Sequence, residues 1–231
     1  MFSKFLLAAS LLAPATAFAH ITIGSGPAPA GKSQKITVNV NHGCNTSTED
    51  TTKIKVEIPA GFTSVRAMPS DFGKPVVTKA GTTVTAIEWT KAPDMNLGFD
   101  DGYYEITFKA TVPNTPYIKV PIKITQTCVA ADGVTVHVVA WDNSDPAEPA
   151  PNLVVVPAKL NSTGWNKFTV PAGSTVVAAD FGAYFGDALI VWKGTAAFSA
   201  NPNTVAQIAS TSGVTPLTAD LAAGDEIWVR Y

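Results

Sequence analysis

His20 is the residue of this sequence with the clearest capacity to bind a metal ion, because it directly follows Ala17-Phe18-Ala19. If the chain is cleaved between Ala19 and His20, this histidine carries a terminal α-amine beside its imidazole. An α-amine has a pKa of about 8, so it loses its proton to a competing metal at low cost. The amine and Nδ1 would chelate Cu(II), which tops the affinity order of the divalent first-row metals. The alternative is a histidine that merely follows a cleavage site.

The first 19 residues have the order of a secretory signal peptide. Lys4 supplies the positive charge, an apolar stretch runs from Phe5 to Ala15, and Ala17 and Ala19 are the small residues before the cut. The apolar stretch is too short to span a bilayer, and the mature chain contains no apolar stretch of greater length. An uncleaved anchor is the alternative. We expect a periplasmic or secreted protein that begins at His20 and has no transmembrane span.

Composition narrows the class of protein. The formal net charge is −2 and only 15% of residues are charged, with no run of Lys or Arg. Nucleic acid is therefore not expected as a partner. Val, Thr, Pro, Gly and Ala are abundant, which is typical of a β-rich exported protein.

Cys44 and Cys128 are the only cysteines. An even number of cysteines in an exported chain predicts one disulfide. That bond would close a loop of about 84 residues and stabilise the fold by about 4 kcal/mol in the chain-entropy model. The alternative is a pair of thiolates that binds a metal.

Alternating apolar and polar residues dominate the first two thirds of the chain, as in 35–40 and 53–58. About seven short strands separated by Gly, Pro, Asn and Asp turns predict an all-β fold, an antiparallel sandwich of the immunoglobulin or cupredoxin kind. Residues 142–151 and 158–164 are predicted linkers around one further strand. We therefore expect a signal peptide over 1–19, a sandwich over 20–157 and a small β-rich module over 165–231.

The remaining histidines have less supporting context than His20. His42 precedes Cys44 by two residues and is either a further ligand or an ordinary strand-end residue, while His137 lies inside a predicted strand. The sequence contains no zinc-finger spacing, HExxH, phosphate loop, serine elbow or dinucleotide fingerprint. These absences favour a binding protein over an enzyme.

Six short motifs occur in the order found in one family of bacterial exported proteins. They are Ala19-His20-Ile21-Thr22; His42-Gly43-Cys44; the segment 51–59 ending in Pro59; the aromatic–acidic strand 103–108; Gln126-Thr127-Cys128; and Trp141 followed by Pro149-Ala150-Pro151. Over residues 20–155 the chain resembles the YcnI-like copper-binding domains, formerly a domain of unknown function. The resemblance does not extend to residues after 160.

This resemblance implies a β-sandwich that binds copper through a brace made by one N-terminal histidine, with a carboxylate as further ligand and a tryptophan nearby. His20 and Trp141 match these positions, although a sandwich-core role is the alternative for Trp141. Where relatives place a glutamate, this chain has Met68, with Asp71 three residues later. A thioether favours Cu(I), whereas a carboxylate favours Cu(II). The alternatives are a core methionine and a turn aspartate.

The sequence thus predicts a copper chaperone, store or sensor, with His20, Met68 and Asp71 as candidate ligands and Trp141 and Glu105 beside them. Glu105 has the alternative of a plain surface residue. Expected partners are copper-trafficking proteins or membrane copper transporters. A copper oxygenase with a histidine brace is one competing function. Another is a carbohydrate-binding or adhesion module in which Trp165, Trp192 and Trp228 stack on sugars, although these three could equally fill a small core.

Overall fold

The computed structural model describes residues 20–44, 48–100 and 102–231. The predicted signal peptide, residues 1–19, lies outside the described residues. Within the described residues, no helix is long and apolar enough to cross a membrane.

The described residues up to 156 form twelve strands and a short 3₁₀ helix at Pro93–Met95. The strands are β1 (Thr22–Ile23), β2 (Ala28–Pro29), β3 (Ser33–Val40), β4 (Glu49–Glu57), β5 (Thr63–Ala67), β6 (Val76–Ala80), β7 (Thr83–Thr90), β8 (Tyr104–Thr111), β9 (Ile118–Pro121), β10 (Ile124–Ala130), β11 (Val136–Trp141) and β12 (Asn152–Val156).

Nine of these strands build two antiparallel sheets, ordered β1-β3-β8-β5 and β11-β10-β4-β7-β6. Apolar residues alternate along each strand, because successive side chains of a strand point to opposite faces. The inward residues of both sheets form one apolar cluster that includes Ile36, Val38, Ile54, Trp89 and Phe108. The prediction of an all-β antiparallel sandwich is therefore confirmed.

A third sheet, ordered β2-β12-β9, connects the sandwich to the rest of the chain. In this sheet β12 pairs with β9 in antiparallel and with β2 in parallel orientation. The chain leaves β12 at Val156 and enters the next strand at Trp165. This passage falls where the sequence predicts a linker.

The remaining described residues form seven strands, two α-helices and a 3₁₀ helix at Ala178–Asp180. These elements are β13 (Trp165–Thr169), β14 (Thr175–Val176), α1 (Phe181–Phe185), β15 (Ile190–Lys193), β16 (Ala196–Phe198), α2 (Pro202–Ser210), β17 (Thr215–Pro216), β18 (Leu221–Ala222) and β19 (Glu226–Arg230). The main sheet has the order β13-β19-β15-β16-β17.

A second apolar cluster lies between this sheet and α1. Its buried members include Phe181, Phe185, Val191 and Ile227. Tyr117 belongs to the same cluster, although it precedes β9 in the sandwich part of the chain. The two parts of the chain thus have separate apolar clusters and share a contact at the β2-β12-β9 sheet.

Candidate metal site at the N-terminal edge

His20 precedes β1, which is an edge strand of the four-stranded sheet. Thr22 pairs with Asn39 of β3, so the chain enters the sheet two residues after His20. The side chain of Asn41 donates a hydrogen bond from Nδ2 to the carbonyl oxygen of His20, at 2.8 Å. The backbone of His20 is therefore held against the strand that pairs with β1.

The imidazole of His20 contacts the indole of Trp141 in an edge-on arrangement. Their ring centroids are 5.8 Å apart and the ring planes are inclined by 69°. Trp141 ends β11, which is an edge strand of the five-stranded sheet, and it is only 4% exposed. An edge strand of the four-stranded sheet and an edge strand of the five-stranded sheet thus come together at this contact. The buried indole lies beside the half-buried histidine.

Gln126 fixes the indole of Trp141. Its Oε1 accepts a hydrogen bond from Trp141 Nε1 at 3.0 Å, and its Nε2 donates to the carbonyl of His42 and to Thr51 Oγ1, both at 2.8 Å. Gln126 is fully buried, and burying an amide is costly unless its hydrogen bonds are made. This role was not predicted from the sequence, although a glutamine on the core face of a strand signals that a buried polar contact exists.

Cys44 and Cys128 form a disulfide, with their Cα atoms 5.7 Å apart. This pairing confirms the disulfide prediction and excludes the alternative of a thiolate pair, since both sulfurs are used. The bond joins the segment after β3 to β10, which also carries Gln126. Structural disulfides are typical of proteins in oxidising compartments.

His42 and His137 interact with groups other than His20. His42 Nδ1 contacts the carbonyl oxygen of Gly43. His137 Nδ1 lies 2.5 Å from Oε1 of Glu49, whose side chain is 4% exposed. His137 is also four residues before Trp141 on β11, which is about 13 Å along a strand.

Met68 lies at the opposite edge of the four-stranded sheet from His20, and Asp71 follows it in a turn whose Phe72 packs against Tyr104 of β8. Met68 directly follows β5, and two strands, β3 and β8, separate β5 from β1. At the usual spacing of neighbouring strands this is about 14 Å. By strand order, Met68 is thus not next to His20, and a role for Asp71 at the metal stays a prediction. The physical reason is that β8 pairs with β3 on one side and with β5 on the other.

Both residues have ordinary structural surroundings. The backbone of Met68 donates to Thr107 O at 3.3 Å, and its carbonyl accepts a hydrogen bond from Trp89 Nε1 at 2.8 Å. Asp71 is exposed within a turn whose ends, Ser70 and Gly73, bond to each other. The position of Asp71 agrees with the alternative of a turn aspartate, and Met68 is half-buried.

Glu105 lies on β8 opposite Asn39 of β3, which in turn lies opposite Thr22 of β1. Its side chain is exposed and accepts a hydrogen bond from the hydroxyl of Tyr103 at 3.3 Å. Two strand spacings separate β8 from β1, or about 10 Å. A role for Glu105 beside the metal stays a prediction.

A buried ion pair at the same end of the sandwich was not anticipated from the sequence. Asp50 accepts hydrogen bonds from Lys91 Nζ at 2.7 Å, from the Tyr104 hydroxyl at 2.6 Å and from the backbone of Leu97 at 2.9 Å. The ammonium of Lys91 lies 3.8 Å from the centroid of the Tyr104 ring. Burial lowers the pKa of Lys91 against the opposing effect of Asp50, and burial together with the bond to Asp50 raises the pKa of Tyr104.

Several solved structures are similar to this chain. An uncharacterized protein from Nocardia farcinica, described as having an immunoglobulin-like fold, is 26% identical with a TM-score of 0.47, and the match covers 59% of this chain and 97% of that protein. The seventh ScaB type I cohesin from Pseudobacteroides cellulosolvens is 12% identical, with a TM-score of 0.36 and coverages of 62% and 95%. BcpA, the major pilin subunit of Bacillus cereus, is 10% identical, with a TM-score of 0.33 and coverages of 67% and 43%.

A search among curated proteins gives no match. The sequence model of one family, described as a domain of unknown function, DUF1775, matches residues 20–155. The match covers more than half of the chain, begins at His20 and ends within β12. This chain therefore belongs to the DUF1775 family.

Proposed function

We propose that the mature chain is an exported copper-binding protein, a chaperone, store or sensor, in which the α-amine and the imidazole of His20 are two nitrogen ligands. The observation that carries the proposal is the contact of the His20 imidazole with the buried indole of Trp141, at 5.8 Å between centroids. The resemblance to YcnI-like copper-binding domains supports the same two residues.

The donor set fits copper on chemical grounds. Amine and imidazole nitrogens are borderline ligands that suit Cu(II), and the six-membered chelate ring through the α-amine and Nδ1 needs only one residue. In the part of the chain that the structure describes, no cluster of three or more His, Cys, Asp or Glu could hold a metal ion. The proposed site therefore depends on the two nitrogens of His20. Asn41 orients the backbone of this residue through its carbonyl, which uses neither nitrogen.

Trp141 would shape the site without binding the ion. Its indole is held by Gln126 and is nearly completely buried, so it forms a fixed apolar wall on one side of the imidazole. A chelate with two protein nitrogens leaves coordination positions for water or for a ligand from another protein. This openness suits a protein that exchanges copper with trafficking proteins or membrane transporters.

We favour binding over oxidation chemistry. A copper oxygenase with a histidine brace requires a second imidazole next to the first. His137 is paired with Glu49 and lies about 13 Å along the strand from Trp141, and His42 contacts the neighbouring carbonyl of Gly43. Oxygen- or peroxide-dependent turnover of a polysaccharide by the copper-loaded protein would reverse this preference.

The proposal is tested by Cu(II) titration of two chains that differ by one residue. One chain begins at His20 and the other retains Ala19, which converts the amine of His20 into an amide. We expect the shorter chain to bind at least about tenfold more tightly, because only it can form the chelate. Equal affinities would contradict the proposal.

Two further measurements define the site. Electron paramagnetic resonance of the Cu(II) form should show two coupled nitrogens in the chain that begins at His20. His42→Gln and His137→Gln are matched controls that remove the other imidazoles, and both should retain the affinity of the parent chain. Intact-mass measurement of the exported protein checks that processing does produce an N-terminal His20.

A further inference from the structure

Three tryptophans share the outward face of the main sheet in the C-terminal part of the chain. Trp228 of β19 pairs with Lys167 of β13 on one side and with Trp192 of β15 on the other. Trp165 pairs with Arg230, two residues from Trp228. The residues that alternate with them, such as Asn166 and Val229, are buried. The three indoles therefore lie on the face away from the core; we call this face, defined by Trp165, Trp192 and Trp228, the tryptophan platform.

The tryptophan platform is open to solvent. Trp165 is 45% exposed and Trp228 is 48% exposed, although tryptophan is usually much more buried in folded proteins. With Gly194 the three indoles line a shallow pocket of about 560 Å³. The core of this part is filled by other residues, among them Phe181 and Phe185, so these tryptophans are not core residues. Exposed aromatic patches of this kind mark binding sites.

Charged side chains lie among the indoles. The guanidinium of Arg230 is 6.0 Å from the ring centroid of Trp165, and Nζ of Lys167 is 5.9 Å from that of Trp228. Lys167 forms an ion pair with Glu226 at 2.6 Å. Among the described residues no carboxylate forms an ion pair with Arg230. The platform therefore combines three apolar ring faces with one uncompensated cation.

This combination indicates which ligand would fit. A specific protein–protein interface usually takes about 20–30 residues from each partner, whereas this pocket is lined by only three indoles and a glycine. A nucleic acid backbone requires a row of Lys and Arg that neutralises successive phosphates, whereas Lys167 is paired with Glu226 and only Arg230 is left to meet a single acidic group. Pyranose rings present C–H groups on a flat face, which the electron-rich face of an indole attracts. The hydroxyl and carboxylate groups at the edges of the sugar rings can form hydrogen bonds or ion pairs with the side chains of Arg, Lys and Glu.

We propose that the tryptophan platform binds an acidic polysaccharide, with pyranose rings stacked on the indoles and a sugar carboxylate paired with Arg230. Guanidinium groups bind carboxylates in a bidentate manner, which gives this position its selectivity for an acidic sugar. The open pocket admits the middle of a long chain, since no wall closes it around a chain end. The proposal is independent of the copper site, which is built from the other end of the chain.

The experiment is a titration of tryptophan fluorescence with the full processed chain, free of copper, in about 0.15 M salt to screen weak surface attraction. The probes are polygalacturonate and hyaluronan as acidic polymers, dextran as a neutral polymer, and a single-stranded dT oligonucleotide. We expect both acidic polymers to bind at least about tenfold more tightly than dextran and the oligonucleotide. Failure of both acidic polymers to bind, or tighter binding of the oligonucleotide, would overturn the proposal.

Variants identify the contacts. Trp165→Ala and Trp228→Ala should each weaken binding by about tenfold, in line with the effect of removing a central aromatic contact. Trp165 begins an edge strand, so its variant provides the test if Trp228→Ala does not fold. Arg230→Gln should reduce binding of the acidic polymers by about tenfold and remove their advantage over dextran.

The matched controls are Arg66→Gln, which makes the same charge change in the sandwich, and Val205→Ala, which removes an exposed apolar group from α2. Both should bind like the parent chain. An equal loss of affinity in Arg66→Gln and Arg230→Gln would show general charge attraction and would overturn the assignment of Arg230. Unchanged binding by both tryptophan variants would overturn the platform itself.

Discussion

The two parts of this chain depart in opposite directions from the usual separation of polar and apolar residues. The sandwich buries polar groups, including Gln126 at 0% and Asp50 at 1% exposure, whereas the C-terminal sheet exposes Trp165 and Trp228 by almost half. The side chains of Gln126 and Asp50 both form hydrogen bonds, and they fix the positions of neighbours such as Trp141 and Tyr104. The exposed indoles have a solvent-facing side with no such fixation. Buried polar groups whose hydrogen bonds are made therefore serve the structure, whereas exposed indoles indicate a surface for binding.

The largest effect should follow from breaking the buried ion pair. Asp50→Ala leaves the ammonium of Lys91 buried without its carboxylate and removes the acceptor of the Tyr104 hydroxyl. We expect a loss of about 4 kcal/mol in the free energy of unfolding, measured by urea denaturation. The double variant Asp50→Ala with Lys91→Met removes both charges and should recover most of this loss. No recovery would mean that the charge on Lys91 is not the cause.

A smaller effect is expected from Gln126→Leu, which keeps the size of the side chain but removes its amide. Trp141 Nε1 would then be buried without an acceptor, and the His42 carbonyl would lose a donor. We expect a loss of about 2 kcal/mol in unfolding free energy and a shift in tryptophan emission. If packing alone fixes the indole of Trp141, stability and emission should stay as in the parent chain. That result would contradict a role of the buried Gln126 amide in holding its neighbours.

The smallest effect on stability should come from the tryptophan platform. Trp228→Ala removes a half-exposed side chain that contributes little to the buried core. We expect a loss of about 1 kcal/mol in the unfolding free energy, because only about half of this side chain is buried. A matched replacement at a buried tryptophan, Trp89→Ala, should cost about 4 kcal/mol. Similar losses in these two variants would show that the platform is part of the structural core.

The strands of the sandwich could be predicted from the sequence because their signal is local. Residues 35–40 and 53–58 alternate in hydrophobicity, and the structure places 35–40 within β3 and 53–57 within β4. The disulfide could also be predicted, since two cysteines allow only one pairing. Helix α2 was missed, although Asn201 accepts a hydrogen bond from Asn203 N as an N-cap and Pro202 occupies the first turn. These two residues are recognised start signals for a helix.

The candidate site could be predicted only in part, because strand order is not a local property. The positions of His20 and Trp141 follow from motifs, but nothing near Met68 in the sequence reveals that β5 lies at the opposite edge from β1. That order results from the pairing of β8 with β3 and β5, which joins segments more than 40 residues apart. The role of Gln126 was hidden for the same reason, since its three partners come from three other strands or loops.

The disulfide has a consequence for the N-terminal corner that extends beyond stability. Cys44 lies two residues after His42, and the carbonyl of His42 accepts the bond from Gln126, which in turn holds the Trp141 indole beside His20. Oxidation of the two thiols therefore tethers the segment 42–44 to β10, and the contacts from His42 to Trp141 depend on the position of this segment. Under the proposed cleavage before His20, a molecule whose two thiols are not yet oxidised would have this histidine next to an indole that lacks the tether. Peptide cleavage would then prepare the nitrogen ligands of His20, and sulfur oxidation would fix the indole beside them.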